Sequence, residues 1–236
     1  MMRANSTKTL FDLANDYYNK GEYEQTIKLC DSLLKNNVES AAIYYNMGNA
    51  YFKLDNIPKA IYYYEKAKKL EPNNEDINYN IAFANTKIAD KIKPVPEFFV
   101  KSWWHRIVYS LSEKQWMRIN VGFFFLFLIA VVFYYTAKRS ENKKRAFIIG
   151  LSMLVLSFIT GSIGYQSYIN RTTHNTAIVF TPTVNVKSAP DEGSSTLFIL
   201  HQGAKVKLME ETKNWQKIKI ADGSEGWLPK DDFEKI

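Results

Sequence analysis

Two stretches without a single Asp, Glu, Lys or Arg bracket a short basic segment, and no other feature of this 236-residue chain restricts its fold as much. The first, INVGFFFLFLIAVVFYYT, covers 119–136; the second, FIIGLSMLVLSFITGSIGYQSYI, covers 147–169. A bilayer core about 30 Å thick needs roughly 20 mainly apolar helical residues, whereas a helix on a soluble domain shows a polar stripe at every turn. Neither stretch shows one. The competing reading is a pair of helices buried in the core of a larger soluble domain, for which uninterrupted apolar runs of this length are unusual. The sequence therefore predicts a transmembrane hairpin with helices at 119–137 and 146–169. Tyr134 and Tyr135 end the first span and Tyr165 and Tyr168 the second, at the headgroup level that amphipathic rings favour.

Between the spans, segment 138–145 carries Lys138, Arg139, Lys143, Lys144 and Arg145 against one acid, Glu141. The net charge of +7 could signal a nucleic-acid partner. Its densest part lies in this connection, however, so it reads as a topology signal and no nucleic acid is expected. Positive charge in short loops places 138–145 in the cytoplasm. A hairpin returns the chain to its starting side, so the flanking regions are expected in the periplasm, and the chain reads as a multi-pass protein of a bacterial inner membrane. The opening MMRANSTKTLFDLANDYYNKG lacks the apolar run of a signal peptide. Either the signal is missing from this sequence, which is the preferred reading, or the N-terminal region is cytoplasmic and the charge bias fails. The single cysteine, Cys30, forms no internal disulfide and says nothing about compartment.

Internal periodicity marks the N-terminal region. Residues 41–74, AAIYYNMGNAYFKLDNIPKAIYYYEKAKKLEPNN, place Tyr44, Met47, Gly48, Tyr51, Ala60, Tyr64, Ala67 and Pro72 at the signature positions of the tetratricopeptide repeat, which the stretch resembles. One period of about 34 residues earlier, 7–40 keeps Leu10, Leu13, Ala14, Tyr17, Ile27 and Leu33 in register, with Thr26 in place of the usual small alanine. One period later, 75–92 supplies a single capping helix. The array 7–92 is thus expected to be all-α. Small residues at Ala14, Gly48 and Ala82 let paired helices approach, and Ala60 and Ala67 let repeats stack. One repeat cannot bury its own apolar face, so about three units or a cap are required.

The family resemblance implies a concave surface lined by the first helix of each pair. Here that means Phe11, Asn15, Tyr18 and Asn19, then Tyr45, Asn49, Phe52 and Lys53, then Tyr79 and Phe83. Rings mixed with amides suit a peptide or a partner's helix; the alternative is that several of these rings are packing. Phe11 and Tyr45 stand where the chaperone-docking members carry a clamp lysine, which argues against such docking.

Residues 93–118 join array and spans. Pro94 and Pro96 stop the preceding helix. Phe98, Phe99, Trp103, Trp104, Ile107, Val108, Leu111 and Trp116 then recur at helical spacing, predicting an interfacial amphipathic helix, or else a helix packed on the array.

Beyond Asn170 the pattern changes to short alternating runs, AIVF, VNVKS, LFIL, KVKLME and WQKIKI, separated by Gly, Pro, Asp and Ser. These are strands, and Asp222-Gly223 is a tight turn. Five or so strands in this length make a small all-β barrel. Val184, Asn185, Val186, Pro190, Leu197, Gly203, Val206, Trp215, Ile218, Gly223, Gly226 and Trp227 match the bacterial SH3 domain, which 175–236 resembles, with Lys187 replacing the more frequent Arg. In wall hydrolases such domains grip peptidoglycan, which makes Asn185, Trp215, Asp222 and Trp227 candidates for a ligand groove. The alternative gives Trp215 and Trp227 to the barrel itself, and Trp215 is assigned to its core.

No Gly-rich phosphate loop, HExxH or nucleophile elbow is present. His105, His174 and His201 have no partner at metal spacing, and Cys30 is a small apolar filler. No enzyme, cofactor or metal is expected. The sequence describes a multidomain membrane protein: repeat array, two transmembrane helices and a C-terminal SH3-like barrel. That order, with PVPEFFVKSWW and FTPTVNVKSAP, resembles the BatE-type proteins of the Bacteroides aerotolerance group. The resemblance implies a membrane-anchored adaptor for Bat proteins with von Willebrand factor A domains and a MoxR-type ATPase, linked to aerotolerance and envelope stress response. A sensor or tether whose barrel holds peptidoglycan is the other reading.

Overall fold

The computed structural model describes residues 2–96 and 99–236. They form two compact units: the chain up to Pro96 together with His174–Ile236, and the intervening segment up to Thr173.

In the first unit, α1 (Met2–Asn19) pairs with α2 (Tyr23–Lys35), α3 (Ala41–Lys53) with α4 (Ile57–Leu70), and α5 (Glu75–Asn85) follows alone. Caps set the boundaries. The Ser40 hydroxyl accepts from Ile43 N–H, Asn56 Oδ1 from Lys59 N–H, and Asn74 Oδ1 from Asp76 and Ile77 N–H. Gly21, at φ +82°, turns the chain between α1 and α2. Ala14, Cys30, Leu33, Met47 and Ala50 form one core cluster, and Tyr44, Ala60, Ile61, Tyr64, Ile77 and Ile81 another. The Thr26 substitution is accommodated because its buried hydroxyl donates to Ala14 O (3.2 Å) and Glu22 O (3.3 Å).

The helix read over 75–92 is shorter, ending at Asn85. Lys91 Nζ folds back onto the carbonyls of Thr86 and Ile88, each at 2.8 Å, and so supplies a cation at the helix C-terminus. With no second helix behind it, Ala82 is exposed.

The barrel has seven strands: β1 (Thr176–Val179), β2 (Thr183–Lys187), β3 (Thr196–His201), β4 (Lys205–Thr212), β5 (Trp215–Lys219), β6 (Glu225–Pro229) and β7 (Phe233–Lys235). All neighbours are antiparallel, in the order β3-β2-β6-β5-β4-β1-β7. Alternation sends Ala177, Val179, Val184, Val186, Val206, Ile218 and Leu228 inside. Asp222 and Gly223 make the β5–β6 turn, with Gly223 at φ +95° and Asp222 Oδ1 accepting from Ser224 N–H at 2.8 Å.

Ile178 points the other way from its neighbours. With Ile236 it joins the array's second cluster, which also holds Ile61, Tyr64, Ile77 and Ile81. Lys205 Nζ meets the buried Glu65 carboxylate at 2.7 Å, Lys69 Nζ reaches Ile236 O at 2.8 Å, and His201 donates its N–H to Asp90 (2.7 Å). Gly203, at φ +90°, passes so close that a Cβ there would sit 2.6 Å from Ile88. The barrel thus packs on α4 and on the segment that follows α5.

The second unit contains α6 (Phe99–Val108), α7 (Glu113–Thr136) and α8 (Ser140–Thr172). The amphipathic stretch is not one helix. Ser112 and Gln115 form a reciprocal capping box that starts α7 afresh, and Trp116 Nε1 donates back to Val108 O at 3.1 Å. Phe98 lies outside the described residues. The basic segment is not a loop either: Lys143, Lys144 and Arg145, good helix formers, lie within α8. α7 and α8 pack side by side through small residues at Ala130, Gly150 and Gly164, and Asn120 Nδ2 donates to Ser157. Both helices are long and apolar enough to cross a membrane. Only 6% of the most apolar window of α7, and 28% of that of α8, is buried, unlike core helices of a soluble domain.

Candidate functional site

Helices α1, α3 and α5 present the residues expected to form the array's binding surface, and many of them turn out to hold the helices together. Asn46 Nδ2 donates to Asn15 Oδ1 across α3 and α1. One repeat later the same bond recurs: Asn80 Nδ2 donates to Asn49 Oδ1 at 2.9 Å, and it also reaches Tyr45 Oη at 3.0 Å. Asn49 Oδ1 further accepts the Tyr64 hydroxyl at 2.7 Å. Asn15, Tyr45 and Asn49 are therefore occupied by an amide ladder between repeats. Sequence reasoning overlooked Asn46 and Asn80, although they stand at the same repeat position, which was the available signal. Phe11 packs on the first core cluster, and Tyr18 sits edge-on to Tyr23 at 5.3 Å.

What remains outward is an aromatic ridge. Phe52 on α3 lies 5.5 Å from Phe83 on α5, Tyr79 stacks parallel to Phe83 at 6.3 Å, and Lys87 Nζ stands 6.0 Å from the Phe83 ring. Tyr79 is 69% and Phe83 45% exposed. Asn19 and Lys53 are exposed at the ends of α1 and α3. Rings bordered by cations offer apolar contact and cation–π attraction to an apolar or aromatic segment of another chain.

On the barrel, Trp215 is not in the core. It shares the outer side of β5 with Lys217 and Lys219, while Gln216, 2% exposed, points inward with Ile218. Gln216 is satisfied there by donating to Glu210 O at 2.9 Å. Trp227 is likewise outward and lies between Lys187 and Lys217 in the register. Asn185, two residues before Lys187 on β2, faces the same way and is exposed. Lys187 Nζ is taken by Ser194 O (3.1 Å), and hydrogen bonds from Lys219 and Lys217 hold the Glu225 carboxyl below its ordinary range. Two half-buried indoles in a frame of compensated charge form a platform suited to stacking.

Asp222 lies apart from that platform. Its carboxylate serves the turn, and it lines a cavity of about 540 Å³ with Asp90, Lys93, Leu197, Ile199 and Ser224.

Burial pushes the Cys30 thiol up to about 12, which makes it inert at neutral pH. His174 Nδ1 is on Ile236 O (2.7 Å) and the His201 ring on Asp90 (2.8 Å); the His105 side chain lies outside the described residues. Among the described residues no three His, Cys, Asp or Glu side chains converge as metal ligands.

Residues 41–74 match the tetratricopeptide repeat, and residues 182–234 match the bacterial SH3 domain. The inactive peptidyl-prolyl cis-trans isomerase shutdown of Bombyx mori is 33% identical over 92 residues. That match takes in 38% of this chain and spans about a fifth of the length of the insect protein, 21%. The chain is accordingly built from an α-helical repeat module and an all-β SH3-like module, together with two apolar helices. Both modules are of kinds that bind: other proteins for the repeat, proteins or peptidoglycan for the bacterial SH3 domain.

Proposed function

We propose that the chain is a non-enzymatic membrane adaptor whose array captures a segment of another envelope protein on the Phe52–Phe83–Tyr79 ridge. The exposed Tyr79 and Phe83 rings carry this reading, because the neighbouring amides and Tyr45 are already spent between helices and Phe52 is half-buried, while these two rings stay open to solvent. α7 and α8 span the membrane as a hairpin. Array and barrel share a core through Ile178 and Ile236, which supports an even number of crossings with both on one side. Unpaired positive charge at 138–145 favours the periplasm for that side and the cytoplasm for the hairpin tip. The resemblance to the BatE-type group nominates Bat proteins with von Willebrand factor A domains as partners, in a complex serving aerotolerance or envelope stress.

A second reading rests on Trp215 and Trp227 lying outward: the barrel holds peptidoglycan and the protein is a tether or sensor. One experiment separates them. The full chain in detergent is assayed both for co-purifying membrane proteins and for pelleting with purified peptidoglycan. Under the adaptor reading, Tyr79→Ala with Phe83→Ala reduces partner recovery at least about tenfold, the loss of two anchors of the hot-spot kind, and Trp227→Ala changes nothing. Pelleting that Trp227→Ala abolishes, with partner recovery unaffected by the ridge variant, overturns the adaptor in favour of the tether.

A further inference from the structure

We propose that the tip of the α7–α8 hairpin is a binding site for the headgroup phosphates of anionic phospholipids. The proposal rests on the reading that these helices span a membrane. Lys138, Arg139, Lys143, Lys144 and Arg145 are all exposed. None of them pairs with Glu141 or with any other acid among the described residues. The opposite end of the same hairpin is built differently, since Arg171 is clamped on Glu113 by contacts of 2.8 and 3.0 Å. Lys114 and Arg118 at that end are exposed and without an acidic partner among the described residues as well, so what sets the tip apart is density: five cations within eight residues against the single Glu141.

The depth of these cations selects the ligand. The exposed apolar band reaches Tyr134 and Tyr135 on α7 and resumes at Phe147 and Ile148 on α8, so the five basic residues begin where the hydrocarbon would end. Lys143 Nζ already stands 5.9 Å from the Tyr134 ring, at the level where aromatic side chains meet headgroups. Long stems keep such cations within reach of the phosphate layer while their methylenes stay against lipid. Like charges crowded into eight residues, two in the connection and three in the first turns of α8, repel one another, and a polyanionic surface relieves that repulsion while each Lys or Arg adds to the attraction. A phosphate-bearing lipid supplies charge at this depth; free phosphate and nucleic acid would approach only from the water side.

The test uses the full chain reconstituted in bilayer discs with equal phosphatidylglycerol and phosphatidylcholine, followed by native mass spectrometry of the retained lipids. Wild type is expected to retain phosphatidylglycerol preferentially, and K138Q/R139Q/K143Q/K144Q/R145Q to lower that preference by about fivefold or more. The control K114Q/R118Q, at the opposite end of the hairpin, is expected to keep the preference. Equal retention of both lipids by wild type overturns the proposal, and so does a preference that the five-residue variant preserves. Loss of the preference in millimolar inorganic phosphate also overturns it, in favour of a free-anion site. Alkaline carbonate extraction of the same proteins from membranes keeps the two readings apart. A chain that stays in the pellet without lipid preference refutes only the site, whereas a chain released into the supernatant refutes the spanning reading on which the site depends.

Discussion

Gly48 leaves no space for a side chain. A Cβ at that position would lie 2.4 Å from Cδ1 and 2.5 Å from Cε1 of Tyr64. That ring cannot swing aside, because its hydroxyl is held by Asn49 at 2.7 Å and its flank by Tyr45 at 5.9 Å. Gly48→Ala is therefore expected to destabilise the array by about 1–3 kcal/mol, the range for overpacking a filled core. Gly122→Ala, with nothing within 4 Å of the added carbon, serves as the control. Urea denaturation of the full chain in detergent measures both, and equal midpoints for Gly48→Ala and wild type would show that the helices separate freely. The importance of Gly48 was legible in its repeat position. The outward placement of Trp215 was legible too, but in a different signal from the one used. In WQKIKI the period-two alternation groups Gln216 with Ile218 and Ile220, and Trp215 with Lys217 and Lys219, so the aliphatic pair decides which parity is inside. The size of an indole points to the core only when its strand neighbours agree. A buried Gln is tolerated there because a main-chain carbonyl accepts its amide.

At the scale of elements, α3 and α4 meet through tyrosines. Tyr44, Tyr63 and Tyr64 are pushed well above the ordinary phenol range, chiefly by burial, and the Glu39 hydrogen bond adds to the effect at Tyr44. Tyr18 and Tyr51 move the same way, also chiefly by burial. A phenol with a raised folded pKa binds its proton more tightly when folded. The stability it contributes is complete below its unfolded value near 10 and is lost as pH rises toward the folded value. Cys30 adds a loss of the same sign between about 9 and about 12. Lys68 and Lys69, lowered chiefly by burial, act in the opposite direction, since neutralisation favours the folded chain. Five phenols and a thiol outweigh two amines, so the array is expected to unfold progressively above about pH 10. Tyrosinate absorbance at 295 nm should rise together with loss of helical circular dichroism; phenols that titrate near 10 while the helices stay intact would contradict the tight α3–α4 packing. The sequence showed these helices clearly because the repeat signature fixes both their periodicity and their small residues. It did not show where α5 stops or that 143–145 is helical, because those boundaries depend on Lys91 reaching back to carbonyls and on α8 continuing past its apolar part.

At the scale of the whole molecule, the unit of array and barrel is held together by a contact that no local pattern announces. The array ends on the single helix α5, where a repeat array normally closes a cluster such as Ile61, Ile77 and Ile81 with another helix. Here β1 and the residue after β7 do so, with Ile178 and Ile236 fully enclosed, and Lys205 neutralises Glu65 at the rim. The alternation of β1 foretold that Ile178 and Ala177 would face opposite ways, but not that the outward side would be buried, because the two surfaces lie far apart in the chain. The barrel is consequently a structural part of the array as well as a candidate binding module. Burial of each aliphatic side chain is worth about 1.5–3 kcal/mol, so removing both takes roughly 3–6 kcal/mol from the array and leaves its own apolar face bare. Deleting 174–236 should lower the melting temperature of the array, followed by its tyrosine signal in detergent, by at least about 10 °C at the usual scaling for domains of this size. Lys205→Met, which leaves the barrel folded but removes the ion-pair partner of the buried Glu65 carboxylate, should produce a smaller fall of the same sign. An array that melts unchanged in both variants would show that barrel and repeats fold as strangers. The shared core that supports the proposal of one membrane side for both would then be absent, and the proposed even number of crossings would have to rest on the apolar helices alone.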